Sequence, residues 1–428
     1  MHILFLSDNF PPGVNAPASR TFEHCREWVR LGHQVTVITC APNFPKGKVF
    51  AGYRNKLWQA EEMDGIRVIR VWSYITANSG FLKRILDYQS FMATSVVAAW
   101  FVRKVDVVVG TSPQFFTACA ACATGWLKRV PYVFELRDLW PESIRAVGAM
   151  RSSFWLDLLE RLELFLYRRA ALVVSVTHSF KRNLVDRGIE KGKVVVVTNG
   201  VDTTRFKPQP KDRQLEEQLG LSGKFVAGYV GTHGMAHGLE TLLKAAKRLQ
   251  GKGEGGAREV VFLFLGDGAN KERLVAKAEE MGLVNVRFLD SVPKEQVARY
   301  WSLLDVSIIH LKKTPLFTTV IPSKLFECMG MGIPVLHGVA GESAEIVRNE
   351  GCGRVFEPEN ESELSELICL MRDSTGLLAE YRQKALEAAR KYDRQNQAKR
   401  MLTLLPRRNC WMADELDAES DTFTPPRP

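Results

Sequence analysis

Apolar residues recur along this chain as short buried runs separated by amphipathic stretches. HILFLS at 2–7 is a continuous apolar run, the mark of a strand covered on both faces. A Gly/Pro loop, DNFPPGVNAPAS, follows it. A helical pattern over 19–31 then places Phe22, Trp28, Val29 and Leu31 on an apolar face. Gly32-His33 ends the helix and VTVIT is the next strand, giving a βαβ opening with an anion-sized loop, containing Gly13, above the first strand. Residues 43–65 read as an irregular surface loop. IRVIRVW is a strand, and Phe81–Val102 reads as one or two basic, aromatic helices that either rest on a membrane surface or bury one face in the domain. DVVVGTS, PYVFELR, LVVSVT and KVVVVT add strands, each running into a polar loop as a doubly wound sheet requires.

Around 199–210 the pattern breaks into a turn and a Pro/Lys connector, NGVDTTRFKPQPKD, and a second α/β series begins. FVAGYVG, VVFLFLG, VRFLD, DVSIIHL, IPVL and GRVFEP are its strands, with helical patterns between them. The expected architecture is α/β with two Rossmann-like domains: 1–203, then 204–380, with a C-terminal helix over 381–405 packing back toward the first domain. The polar, acidic stretch 406–428 is expected to be disordered.

At 428 residues the chain is long enough for two domains. Its 46% hydrophobic and 25% charged content is that of an ordinary globular protein. Eight scattered cysteines read as reduced thiols of a cytosolic protein, and Cys119-x-x-Cys122 in an Ala-rich helix reads as core packing. The N-terminus lacks a basic leader region, and no apolar run reaches the roughly 20 residues that span a bilayer. Residues 1–200 carry 26 Lys and Arg against 16 Asp and Glu, while the rest balances at 32 of each, so the whole formal charge of +10 belongs to the first half. That half invites an anionic partner: phospholipid headgroups, a lipid-linked phosphate or nucleic acid.

The most informative stretch is TVIPSKLFECMGMGIPVL at 319–336. Ser323 is placed to cap a short helix that ends at Gly-Met-Gly, ahead of a buried strand. Lys324 adds a positive charge at an anion-binding helix start, and Glu327 sits one turn further on, where a carboxylate can hold two sugar hydroxyls. A phosphate beside a ribose suits that constellation. A plain acidic residue favoured by the helix dipole is the competing reading of Glu327.

NGVD at 199–202, GYVGTHGMAHGLETLL at 228–243, LGDG at 265–268 and PSKLFECMGMGIPVL at 322–336 together resemble the retaining glycosyltransferases of family 4, which have the GT-B fold of two Rossmann-like domains facing a central cleft. FPPGVNAPASR at 10–20 and ELRDLWPES at 135–143 are similar to the bacterial colanic-acid and O-antigen branch, which includes fucosaminyl transferases. The resemblance covers residues 1 to about 405. It implies sugar transfer from a nucleotide sugar, a UDP-sugar, to a lipid-linked saccharide of the undecaprenyl diphosphate type, and a protein in the cytoplasm with peripheral contact to the anionic inner membrane. It implies no nucleic-acid partner, no metal and no other cofactor.

By that resemblance Glu327 holds the ribose, and the backbone of Ser323 and Lys324 meets the diphosphate. Gly13, Gly231, Thr232, Gly234, His237 and Val292 belong to the donor side. Asp138, Arg137 and Lys324 stand at the reaction centre, with Arg20, Trp140 and Glu142 on the acceptor side. Two positions depart from the family. Thr319 stands where a sugar-facing Glu is expected, and Thr232 and His237 replace an Arg and a Lys of the glycine loop. The diphosphate charge must then be met elsewhere, by Lys324, the Gly13 loop or Arg137. A two-lobed binding protein and a nucleotide-sugar 2-epimerase of the same architecture compete with a transferase. The missing GxGxxG disfavours a dehydrogenase.

Overall fold

A computed structural model of the chain describes residues 1–13, 15–44, 47–76, 81–139, 154–251, 258–293 and 295–407. They form two compact units: Met1–Thr198 together with the chain from Gln395 onward, and Asn199–Arg394.

The first unit holds an eight-stranded sheet made of β1 (His2–Leu6), β2 (Gln34–Cys40), β3 (Trp58–Met63), β4 (Ile66–Val71), β5 (Val107–Thr111), β6 (Tyr132–Leu136), β7 (Leu172–Ser175) and β8 (Val194–Val196). Their order is β3-β4-β2-β1-β5-β6-β7-β8. All neighbours are parallel except β3–β4. The apolar runs are explained by cover on both faces. Ile3 and Phe5 belong to one buried cluster, and Leu4 and Leu6 to another, as the two-residue period of a strand demands. β3 corrects the expectation of an irregular stretch over 43–65. It is an edge strand whose burial alternates, joined to β4 by an Asp64-Gly65 turn. The helix expected over 19–31 starts earlier, at Ala16, because the Asn15 side chain accepts from Ala18 N at 2.9 Å and caps it. Residues 81–100 form one helix.

The second unit holds β9 (Phe225–Val230), β10 (Val260–Leu265), β11 (Val286–Leu289), β12 (Val306–His310), β13 (Val335–Gly338) and β14 (Gly353–Val355), ordered β11-β10-β9-β12-β13-β14. All pairs are parallel. This is the doubly wound order, and the strand direction of winding reverses between β9 and β12. The first sheet repeats the order, with its reversal between β1 and β5. Ligands of such sheets sit beyond the strand carboxyl ends at the reversal.

The expected boundary at 203 and the single terminal helix over 381–405 are both redrawn. Val201 already belongs to the second unit: its N–H donates to Tyr392 O at 2.9 Å, and its carbonyl accepts from Arg394 N at 2.9 Å. The helix Thr375–Lys391 buries Ala385, Ala388 and Ala389 in the second unit. The helix Arg394–Leu404 lies largely in the first unit, where Ala398 and Met401, with Leu405 just after it, join the cluster around Ile3 and Phe5. A fully buried Met or Leu is worth about 1.5–3 kcal/mol, enough to fix that return. The stretch from 408 on lies outside the described residues. No described helix is long and apolar enough to cross a membrane.

Candidate functional site

The second unit builds its site from two loops and one helix start. At the end of β9, Gly231 has φ +141°, and its N–H donates to Leu265 O at 2.9 Å. At the end of β10, Gly266 has φ +147°, and a Cβ there would stand 1.9 Å from Gly231 O. The two glycines let the backbones touch. The contact continues with His233 N donating to Asp267 O and Asn270 N donating to His233 O, both at 2.9 Å.

The helix Lys324–Met331 begins beside them. Its side-chain cap, expected from Ser323, is absent: Ser323 is already helical at φ −62°, ψ −25°, so its hydroxyl does not fold back onto the first turn. In the first turn Leu325 N donates to Pro322 O at 3.0 Å and Phe326 N to Ser323 O at 3.1 Å, so the N–H groups left facing outward are those of Ser323 and Lys324. The helix stops at Gly332, as expected from Gly-Met-Gly.

Lys324 turns inward. Its ammonium lies 3.9 Å from the centre of the Tyr229 ring, buried and without a hydrogen-bond partner. A Cβ on Gly231 would meet it at 2.6 Å. Burial draws its pKa down to about 8, and Glu327 and Cys328 oppose that shift. The Tyr229 hydroxyl donates to Thr232 O at 2.8 Å, tying ring and loop together. Two histidines beside this cation stay neutral. Burial and then Lys271 and Lys324 lower His233 to about 4, and burial and then Lys324 lower His237 to about 3. His310 pins the loop from below: its Nδ1 donates to His237 O at 2.7 Å, and its Nε2 accepts from Glu359 N at 2.9 Å.

Gly231, Thr232, Gly234, His237, Lys324 and Glu327 thus belong to one neighbourhood: Lys324 sits under Gly231, its charge depresses His237, and Glu327 raises Lys324. Val292 is half-buried against the apolar cluster of Leu265 and Trp301. Thr319, at the position of the expected carboxylate, closes its own turn by donating to Leu316 O at 2.8 Å. Tyr229 and His310 were missed in the sequence because they lie in apolar strands, where nothing local separates them from core residues.

In the first unit, the Ser112 hydroxyl accepts from Arg137 N at 2.7 Å and Asp138 N at 3.2 Å, joining the carboxyl ends of β5 and β6. Gly13 N donates to Phe10 O at 3.2 Å in the loop after β1. Arg20 corrects its acceptor-side assignment. It is 2% exposed, and its guanidinium donates to Glu135 Oε1 at 2.8 Å, Thr198 O at 2.8 Å and Val197 O at 3.0 Å. Burial would raise Glu135, but Arg20 and Arg137 outweigh it and hold the carboxyl at about 2. Arg20 is a strut of the fold. Trp140 and Glu142 lie outside the described residues.

One edge of the first unit exposes large apolar side chains: Leu57, Trp58, Val97, Trp100, Phe101 and Trp126. Trp58 and Phe101 meet edge to face at 6.2 Å, and Lys128 Nζ donates to Val102 O at 2.7 Å. Arg103, Lys104 and Arg129 are exposed beside them.

Comparison with known proteins agrees with this layout, one match per unit. Residues 15–200 match the family described as glycosyl transferase 4-like domain, and residues 211–392 match glycosyl transferases group 1. WcaI of Escherichia coli (strain K12), a glycosyl transferase named for colanic acid biosynthesis, is 25% identical over 345 residues, 78% of this chain and 82% of its own. TuaH of Bacillus subtilis (strain 168), named for teichuronic acid biosynthesis, is 27% identical over 209 residues, 48% of this chain and 49% of its own. The solved structure of Anabaena HepE in complex with UDP and glucose superposes with a TM-score of 0.69 at 18% identity, covering 94% of this chain and 98% of that one. With a glycosyl transferase match on each of two doubly wound units, the chain belongs to the glycosyltransferases of the GT-B type.

Proposed function

We propose that this transferase moves a sugar from a UDP-sugar to a lipid-linked or saccharide acceptor in surface polysaccharide assembly, with retention at the anomeric carbon. One observation carries the donor half of this reading: the buried ammonium of Lys324 has no hydrogen-bond partner and stands at the start of a helix that no side chain caps. A diphosphate would supply the missing acceptor, and its charge would be met by that ammonium and by the backbone N–H groups of Ser323 and Lys324. Glu327, one turn along, would take the ribose hydroxyls. As the glycosidic bond to the diphosphate breaks, negative charge grows on the leaving oxygen, and preorganised donors of this kind stabilise it. The leaving phosphate would take the acceptor's proton, with Arg137 and Asp138 orienting acceptor or donor hydroxyls. The UDP complex of HepE supports the choice of nucleotide. The colanic-acid and teichuronic-acid relatives support a polysaccharide acceptor.

The exposed aromatic edge with Arg103, Lys104 and Arg129 supports peripheral contact with anionic lipid, where the acceptor's lipid would be embedded. Flotation with anionic vesicles should be salt-sensitive and should be lost in Trp100→Ala/Trp126→Ala; a protein that never floats removes this part.

The main test incubates the protein with UDP-, GDP- and TDP-sugars and lipid extracts. Acceptor-dependent release of the nucleoside diphosphate is the expected result. An isomerised donor, or binding without turnover, would instead favour an epimerase or a two-lobed binding protein.

A further inference from the structure

The glycine loop after β9 is held from two sides. Its first half rests on the loop after β10, through the backbone bonds of Gly231 and His233. Its second half, the short turn Met235–His237, is held from the end of β12. Lys312 N donates to Ala236 O at 2.9 Å, and His310 Nδ1 lies 2.7 Å from His237 O. His310 is the last residue of β12 and is 1% exposed. Its ring fills a slot between two glycines. A Cβ on Gly238 would come within 2.9 Å of its Cε1, and one on Gly338 within 2.7 Å of its Cδ2. Phe356 stacks on the ring at 5.9 Å with 9° between the planes.

The two ring nitrogens have different partners. Glu359 N donates and cannot accept, so the Nε2 that it meets at 2.9 Å must be bare. The one proton of the neutral ring then sits on Nδ1, facing the His237 carbonyl. An imidazolium would set N–H against N–H at Glu359, and burial also lowers the pKa of His310. Glu359 is held for this contact in a left-handed conformation at φ +66°, which costs a non-glycine residue about 1–2 kcal/mol. Its carboxylate accepts from Lys313 N at 3.0 Å.

On its other side the loop presents the His237 ring. A Cβ on Gly234 would meet the Cδ2 of that ring at 3.5 Å, and the ring stands edge-on to Tyr229 at 5.9 Å. The Lys324 ammonium lies 3.9 Å from the same Tyr229 ring. A slip of the His237 carbonyl therefore displaces an imidazole that shares Tyr229 with the cation.

We propose that His310 is a positioning residue for the nucleotide-sugar donor: its Nδ1–H, presented because Glu359 N–H occupies Nε2, holds the His237 carbonyl and so sets the His237 ring beside Lys324. This rests on the reading that the loop and Lys324 bind a nucleoside diphosphate.

Asn and Gln separate the two nitrogens. An Asn amide reaches the place of Nδ1 and can donate to His237 O. A Gln amide reaches the place of Nε2 and can accept from Glu359 N. Each variant loses one of the two hydrogen bonds, and each should lower the thermal midpoint. Calorimetric titration of the full chain with UDP should show at least a fivefold loss of affinity in His310→Gln and a change within twofold in His310→Asn. A merely structural role would instead let affinity follow stability. Equal UDP affinity in the two variants, or a weaker Asn variant, overturns the proposal and leaves the donor reading standing. A wild-type protein that binds none of UDP, GDP and TDP overturns the donor reading and the proposal with it. Nitrogen NMR of histidine-labelled wild type requires no variant to fold. The Nδ1–H tautomer is expected at His310, and an Nε2–H tautomer or an imidazolium at neutral pH overturns the proposal.

Discussion

The Lys324 ammonium rests 3.9 Å from the centre of the Tyr229 ring with no oxygen to donate to. A cation over an aromatic face gains about 0.5–2 kcal/mol, whereas an unsatisfied buried donor costs about 1–3 kcal/mol and more when charged. The free protein therefore carries an imbalance that an anion would relieve. Lys324→Met should raise the thermal midpoint of the free protein by a few degrees and weaken UDP binding more than tenfold. Melting curves and calorimetry read both. A mutant that binds UDP as wild type does would move the anion site away from this residue.

Glu327→Gln should likewise cost more than tenfold in UDP affinity, since a charge-assisted hydrogen bond to ribose becomes a neutral one. Thr319→Ala should change it less than twofold, because the Thr319 hydroxyl is spent on Leu316 O. Equal losses in the two variants would mean that Glu327 acts only on helix stability.

The backbone contact between the two glycine loops gives a steric prediction. Gly266→Ala would drive a Cβ to 1.9 Å from Gly231 O, so the loops must separate, and the variant should lose at least about 3 kcal/mol. Gly220→Ala is the control. Its φ is also positive, but nothing lies within 4 Å of the new Cβ, and about 1–2 kcal/mol is expected. Chemical denaturation distinguishes them.

Two buried histidines and the half-buried His237 give a pH dependence. His233 is lowered to about 4, His237 and His337 to about 3, in each case chiefly by burial. The unfolded chain takes up protons near 6.5 while the folded chain resists. Their contribution to stability is thus complete above about 6.5 and is lost as pH falls through the folded values. The thermal midpoint should fall between pH 6.5 and 4. His233→Phe should flatten that fall, because the ring sits among Tyr229, Phe264 and Phe288 with no hydrogen bond to either nitrogen. An unchanged slope would show that His233 is not one of the titrating groups.

Arg20 separates scaffold from site. Arg20→Met takes the ion-pair partner from buried Glu135, and about 3–5 kcal/mol should be lost. Urea unfolding measures it, and any loss of turnover should track the loss of folded protein. A stable variant with a selectively raised acceptor KM would restore Arg20 to the acceptor side.

The two doubly wound units were legible because parallel strands covered on both faces leave uninterrupted apolar runs, and KVVVVT or VVFLFL admit little else. The helix start at Lys324 was legible from Pro, Ser and Gly punctuation. The direction of its side chain was not, since that depends on Tyr229, far away in sequence at the end of β9. β3 was overlooked although Asp64-Gly65 is a strong hairpin signal, because the Gly and Lys residues of 47–56 masked the alternation that follows. Arg20 was misplaced because a buried ion pair with Glu135 is 115 residues long in sequence and leaves no local pattern.

The bridge at Val201 has a consequence for how the chain can be cut. Both ends of the second unit are fastened there, through Tyr392 and Arg394 to Val201. The second unit is therefore an insertion with adjoining ends, and residues 199–394 should fold as a free-standing piece, which a circular-dichroism melt of that fragment would check. The first unit lacks that independence. Trp28 Nε1 donates to Ala398 O at 2.8 Å, so the N-terminal half emerges from the ribosome with a seat reserved for residues synthesised last. Truncation at 198 leaves that seat empty, and a fragment of the first unit becomes whole only when 395–407 is spliced back onto it.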